Sequence, residues 1–175
     1  MRLRSQEGFG LIELLMAMVM LNIGILAIVA AFNSGAVTLN RASRISTAAA
    51  LADQQIELYR AIPYTSIALD ASSIPGTSPY TTDTAYSGAQ LTTTCTTPIP
   101  DQCNASRSIT GAASPDRKRY RVDTYIVLST STTSPPTPTN GRPVKIVTVV
   151  VRDGGALSAR PLIRVASTFD QSTGY

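Results

Sequence analysis

Three residues near the start of the chain, Gly8, Phe9 and Glu13, have types and a spacing that could do chemistry. Glu13 is the one carboxylate in a greasy run from Phe9 to Phe32. A charge at the centre of a membrane helix costs about 2.5–3.5 kcal/mol on insertion scales, and such groups usually pair. Glu13 sits in the first turn or two, where the partial positive charge of a helix N-terminus removes part of that cost. Between Arg4 and Arg41 there is no Lys or Arg, so the apolar band has no cation to offer. One cation could be made. A cut between Gly8 and Phe9 would free an α-amine four residues before Glu13, about 6 Å along a helix axis. Helices packed side by side with small axial shifts could then pair the Phe9 amine of one copy with Glu13 of the next. Glu13 would set the register of assembly, the best-attested use of a single buried polar group.

That chemistry needs an element to carry it. Leu14 to Phe32 is apolar apart from Asn22 and Gly24, enough to cross a bilayer core that takes about 20 residues of helix. A cleaved secretory signal has a shorter apolar region followed by small residues. The stretch NSGAVTLNRASR matches such a site poorly, so a membrane-spanning helix is expected over a secretory signal or an ordinary buried helix. The helix is expected to continue, because no proline occurs from Asn33 to Arg60. Ile45, Ala49, Ala52, Ile56 and Tyr59 recur at helical steps as one apolar stripe, and Pro63 ends the element.

The segment EGFGLIELLMAMVML resembles the N-terminus of type IV prepilins and pseudopilins. In that family a short basic leader ends in Gly, the next residue is usually Phe, and Glu follows four positions later. Gly8, Phe9 and Glu13 match one by one, and Gly10 departs from the usual Thr or Ser. The resemblance implies cleavage after Gly8 by a prepilin peptidase on the cytoplasmic side, methylation of the Phe9 amine, and filament assembly through Phe9 and Glu13. AAALADQQIELYRAIPY is similar to minor pilins of the type IV pilus modification kind and to some type II secretion pseudopilins. Major pilins often carry a proline in the membrane helix, and none lies between Phe9 and Ile62 here.

Beyond the helix, residues 64–118 are rich in Ser, Thr, Gly and Pro, with little apolar periodicity. They read as a long irregular connection, of the kind that is usually functional or mobile. Cys95 and Cys103 are the only cysteines, and the export topology places them where disulfides persist. A Cys95–Cys103 link is expected over two free thiols. The C-terminal third reads as three strands in an antiparallel meander. Tyr120, Val122, Thr124, Ile126 and Leu128 share one face, as do Val147, Val149 and Val151, and Ile163, Val165 and Phe169. Asp153-Gly154-Gly155 is a hairpin-type turn. The expected fold is α+β, a long N-terminal helix on a small antiparallel sheet of about three strands, pilin-like. Its organisation is a leader at 1–8, a transmembrane or filament-core helix at 9–32, an amphipathic continuation at 33–62, a variable connection at 63–118 and the sheet at 119–175.

Composition narrows the function. The net charge of +4 is too weak to argue for nucleic acid, and Arg2, Arg4, Arg41 and Arg44 leave the positive-inside signal ambiguous. Arg117, Lys118, Arg119 and Arg121 form a basic run, read as a solvated strand start or, more sharply, a docking or DNA-contact patch. Only Tyr120 and Tyr125 accompany it, which supports base stacking weakly. With no His and two thiols, neither a metal site nor a catalytic constellation is expected, and no cofactor is implied. The leading expectation is a structural subunit, a minor pilin or pseudopilin, in the inner membrane and then in an extracytoplasmic filament. Its partners would be the prepilin peptidase, other pilins and the membrane. The alternative is a membrane-tethered module whose head captures DNA, a surface or a secreted substrate.

Overall fold

A computed structural model describes residues 10–129, 143–155 and 160–171. Helix α1 runs from Leu11 to Arg60, and the chain divides into two compact units after Ser43. The first unit is the apolar part of α1. The second, from Arg44 onward, is the head.

In the head, α1 buries Ala48, Leu51, Ala52, Gln55, Ile56 and Tyr59. These positions recur at three- and four-residue steps, so they form one stripe on the helix. The stripe is rotated from the one read in the sequence. Ala52, Ile56 and Tyr59 hold, but Ile45 is 38% exposed and Ala48, Leu51 and Gln55 take up the contact. The helix stops at Arg60, three residues before Pro63, whose ring prevents continuation.

Opposite α1 stands a four-stranded antiparallel sheet in the order β3-β4-β5-β6, built from Ser106–Ile109, Tyr120–Ser129, Val144–Asp153 and Pro161–Phe169. The three long strands are those legible in the sequence. The fourth, β3, comes from the stretch read as connection, so the sheet has one strand more than expected. Four residues of mixed polarity carry too little alternation to announce a strand. β3 forms because it finds the open edge of β4, with Arg107 opposite Val122 and Ile109 opposite Tyr120. A shorter pair, β1 (Leu69–Asp70) with β2 (Thr92–Thr93), is parallel. Residues 134–141, read as a turn, lie outside the described residues.

Cross-strand register assigns the faces. Val122, Thr124 and Ile126 lie opposite Val151, Val149 and Val147, and the last two stand opposite Val165 and Ser167. With Tyr120 and Phe169 the apolar ones among them join the α1 stripe in one core. Leu128, expected on this face, is 44% exposed near the end of β4, beyond the covered part of the face.

The second face is where structure and expectation part most. Asp123, Tyr125, Val150 and Arg152 point away from α1, yet all are buried. The connection covers them. Tyr80 stacks on Tyr125 with ring centroids 4.4 Å apart. It donates its hydroxyl to Thr124 O at 2.7 Å and accepts from Tyr125 Oη at its own carbonyl at 3.1 Å. Asp83 pairs with Arg152 and, at 2.7 Å, with Arg164. The sheet is therefore the middle of three layers, and residues 64–118 supply much of the third instead of forming a loose tether. Where the connection leaves α1, Lys145 ties it to β5. Its Nζ donates to Tyr64 O at 2.6 Å and Ile67 O at 2.9 Å and lies 4.5 Å from the centre of the Tyr64 ring. Burial draws the lysine pKa down.

Candidate functional site

Gly8 and Phe9, the expected cleavage and methylation positions, lie outside the described residues. Glu13 is placed in the first turn of α1, where Gly10 O accepts from the amides of Glu13 at 3.0 Å and Leu14 at 3.2 Å. Among the described residues Glu13 has no ion pair or hydrogen bond through its carboxylate. Around it the helix surface is bare. Leu11 is 81% exposed, Phe32 76% and Leu39 73%, and no residue from Leu11 to Leu39 is buried by the chain itself.

Three polar side chains of this segment bond to the helix itself. Asn22 Nδ2 donates to Met18 O at 3.0 Å, Thr38 Oγ1 to Ser34 O at 2.9 Å, and Asn40 Nδ2 to Ala36 O at 3.1 Å. Each turns back one helical turn onto its own backbone, which is how a helix in hydrocarbon satisfies polar side chains without help. Glu13 makes no such bond to a helix carbonyl, because a carboxylate only accepts; what the first turn offers it is the partial positive charge of its amides. The helix is long and apolar enough to cross a membrane.

In the head, Cys95 and Cys103 are joined, as expected. The loop they close is bound to α1. Gln55 Nε2 donates to Asp101 O at 3.1 Å, and Tyr59 Oη donates to Gln102 O at 2.7 Å. Arg107 pairs with Asp101 and donates to Gln55 Oε1 at 3.1 Å. Asp70 holds the other side, accepting from Cys95 N and Ser72 N, both at 2.8 Å. Closing so short a loop should contribute about 2–3 kcal/mol on the chain-entropy account. Non-reducing peptide maps should recover the 95–103 link, and Cys95→Ser/Cys103→Ser should lower the urea midpoint by a matching amount. An unchanged midpoint would mean that the hydrogen bonds to Gln55 and Tyr59 hold the loop unaided.

The basic run divides. Arg121 turns inward, its Nε donating to Asp123 at 2.7 Å and Ser106 Oγ at 3.0 Å. Arg117 and Arg119 stay exposed on a tight turn, with Arg117 in the left-handed region at φ 58°. Asp116 organises that turn by accepting from Ser114 Oγ at 2.8 Å, Tyr120 Oη at 2.6 Å and Lys118 N at 3.1 Å. The residues unforeseen as a group are Asp83, Asp123, Arg152 and Arg164. Arg152 stands 69 residues from its partner Asp83 in sequence and Arg164 farther still, and nothing local marks them as a cluster.

Three carboxylates acidify on folding. Ser72 Oγ, followed by the amides of Cys95 and Ser72, holds Asp70 below its ordinary 3.8. Burial pushes Asp83 up, but the Ala85 amide and the Arg164 and Arg152 guanidiniums outweigh it and lower it on balance. Burial also opposes ionisation of Asp116, and hydrogen bonds from Tyr120, Ser114 and Lys118 still bring it to about 2. The unfolded chain therefore binds more protons at acid pH, so stability rises with pH in that window. The urea midpoint should be level from neutral pH down to about 5 and then fall, most steeply between about 4 and 2. A midpoint independent of pH down to 2 would contradict this.

No family model, curated protein or solved structure matches this chain. The fold and geometry define a class, an α+β head on an apolar helix long enough to span a membrane.

Proposed function

We propose that the chain is a structural subunit of a type IV pilus or type II secretion-type filament, a minor pilin or pseudopilin, held in the membrane by α1 until assembly. One observation carries the reading. Among the described residues Glu13 is a carboxylate without a partner, at the start of a bare apolar helix and five positions after Gly8. Cleavage after Gly8 supplies the missing cation as the Phe9 amine, and a neighbouring copy brings it to Glu13. The internally bonded Asn22, Thr38 and Asn40 support an apolar home for the same segment. A membrane-tethered binding module would use the same anchor but leaves Glu13 with a cost and no role.

Mass spectrometry of the mature chain should find it beginning at a methylated Phe9. Replacing Gly8 with a bulky residue should leave it uncut in the membrane fraction. Recovery of the uncut Met1 form from sheared filaments would end the filament reading.

A further inference from the structure

The net positive charge of the head is gathered at one end, the end where α1 enters it. Arg44 opens the head and pairs with Asp153 at 2.7 Å. Asp153 lies opposite Tyr120 in the register, so the turn bearing Arg117, Lys118 and Arg119 stands at that end too. Gly154 N donates to Arg119 O at 3.0 Å, and a side chain at Gly154 would meet the Arg119 backbone at 3.0 Å, so the turn is seated closely on the end of β5. Exposed Arg160 precedes Pro161, which lies opposite Arg152 at the same end. Five cations therefore surround two acids, Asp153 and Asp116, both already engaged within the head. From residue 44 onward the chain has 12 Lys and Arg against nine Asp and Glu, so the remaining seven of each cancel.

Chain length places this end near the membrane. Arg44 follows Phe32, where the apolar run ends, by 12 positions of α1, about 18 Å along the helix axis. We propose that the basic end of the head docks on the anionic headgroups of the lipid surface that its own helix leaves, resting the unassembled subunit on the membrane. The inference rests on the membrane reading of α1. Anionic surfaces attract basic residues next to a span, and the attraction fades within a Debye length. A tether this short keeps Arg117, Lys118, Arg119 and Arg160 within reach. The same cations could meet duplex nucleic acid, but nothing holds that partner close, and buried Tyr120 and Tyr125 offer no ring for stacking.

The two lysines of the chain supply the probe, since Lys118 sits in the basic turn and Lys145 is buried. Full-length protein is placed in lipid discs of phosphatidylcholine alone or of equal parts phosphatidylcholine and phosphatidylglycerol. It is then acetylated with a neutral succinimidyl ester and mapped by peptide. Lys118 should react several-fold more slowly in the mixed discs, and high salt should remove the difference, while Lys145 stays slow throughout. Arg117→Gln/Arg119→Gln/Arg160→Gln retains Lys118 and should lose most of the slowing, since each cation near an anionic surface is worth roughly fivefold in binding. Equal Lys118 rates in both discs, or slowing that the triple variant keeps in full, would overturn the inference with the span still inserted. Slowing seen only when duplex DNA is added to neutral discs would overturn it in favour of nucleic acid. Release of the chain from vesicles by alkaline carbonate would overturn the membrane reading and this inference together.

Discussion

Glu13→Ala should enter the membrane as well as the parent or better, be cut after Gly8, and yet fail to join filaments. The substitution removes the one charged residue between Leu11 and Asn40, so insertion becomes easier. Assembly should suffer because the Phe9 amine of the adjoining copy is left charged in an apolar core with nothing to meet. Removing one partner of a buried pair typically costs about 3–5 kcal/mol, mostly from the charge left behind. At about 1.4 kcal/mol per decade, such a loss cuts incorporation at least a hundredfold. Glu13→Gln keeps the shape and one acceptor and should fail in the same direction less severely. The measurement is the share of each variant that co-purifies with sheared filaments, set against its level in the membrane fraction. Parental incorporation of both variants, with normal cleavage, would remove Glu13 from assembly and favour the tethered binding module.

In the head, the largest loss should come from Asp123→Ala. Asp123 is fully buried on the sheet face away from α1 and accepts from Arg121 Nε at 2.7 Å, Ser106 Oγ at 2.7 Å and Arg152 Nε at 3.1 Å. Without it, buried Arg152 keeps Asp83 as its carboxylate partner and Arg121 loses its own, at a cost of about 3–5 kcal/mol. Small domains are stable by about 5–15 kcal/mol, so most of the margin could go. Asp123→Asn should lose less because it still accepts. Glu57→Ala breaks the Glu57–Arg60 pair, whose side chains are 61% and 58% exposed, and should change stability by under about 1 kcal/mol. Urea unfolding followed by near-ultraviolet circular dichroism of the tyrosines checks the ordering. Equal midpoints for Asp123→Ala and Glu57→Ala would show that the buried cluster is not a stabilising network.

The long strands were legible because burial on a sheet writes itself with period two. Val147, Val149 and Val151 needed only counting, and the Cys95–Cys103 link needed only that the two cysteines are the chain's only pair and lie eight positions apart. The α1 stripe was legible in period but off in phase, because alanines at 48, 49 and 52 score alike and only the sheet decides which of them it touches. β3 and the third layer were not legible. Ser106 to Ile109 becomes a strand through the edge it meets, and Tyr80 is a core residue only because Tyr125 lies beneath it.

By itself, the sequence determined what depends on neighbours along the chain. That covers an apolar segment long enough to span, a lone carboxylate at its start, a helix that stops before Pro63, and three alternating strands. These follow from helix rise, bilayer thickness and strand pleat, all of which act over a few residues. The tertiary structure alone decided what depends on residues far apart. It placed Asp83 and Asp123 against Arg152, turned Arg121 inward while Arg117 and Arg119 face water, and brought Arg160 to the end of the head where Arg44 enters. Charges are written locally, but whether they pair, bury or gather at one end is set by the distances that packing imposes, because Coulomb energy falls with separation in space.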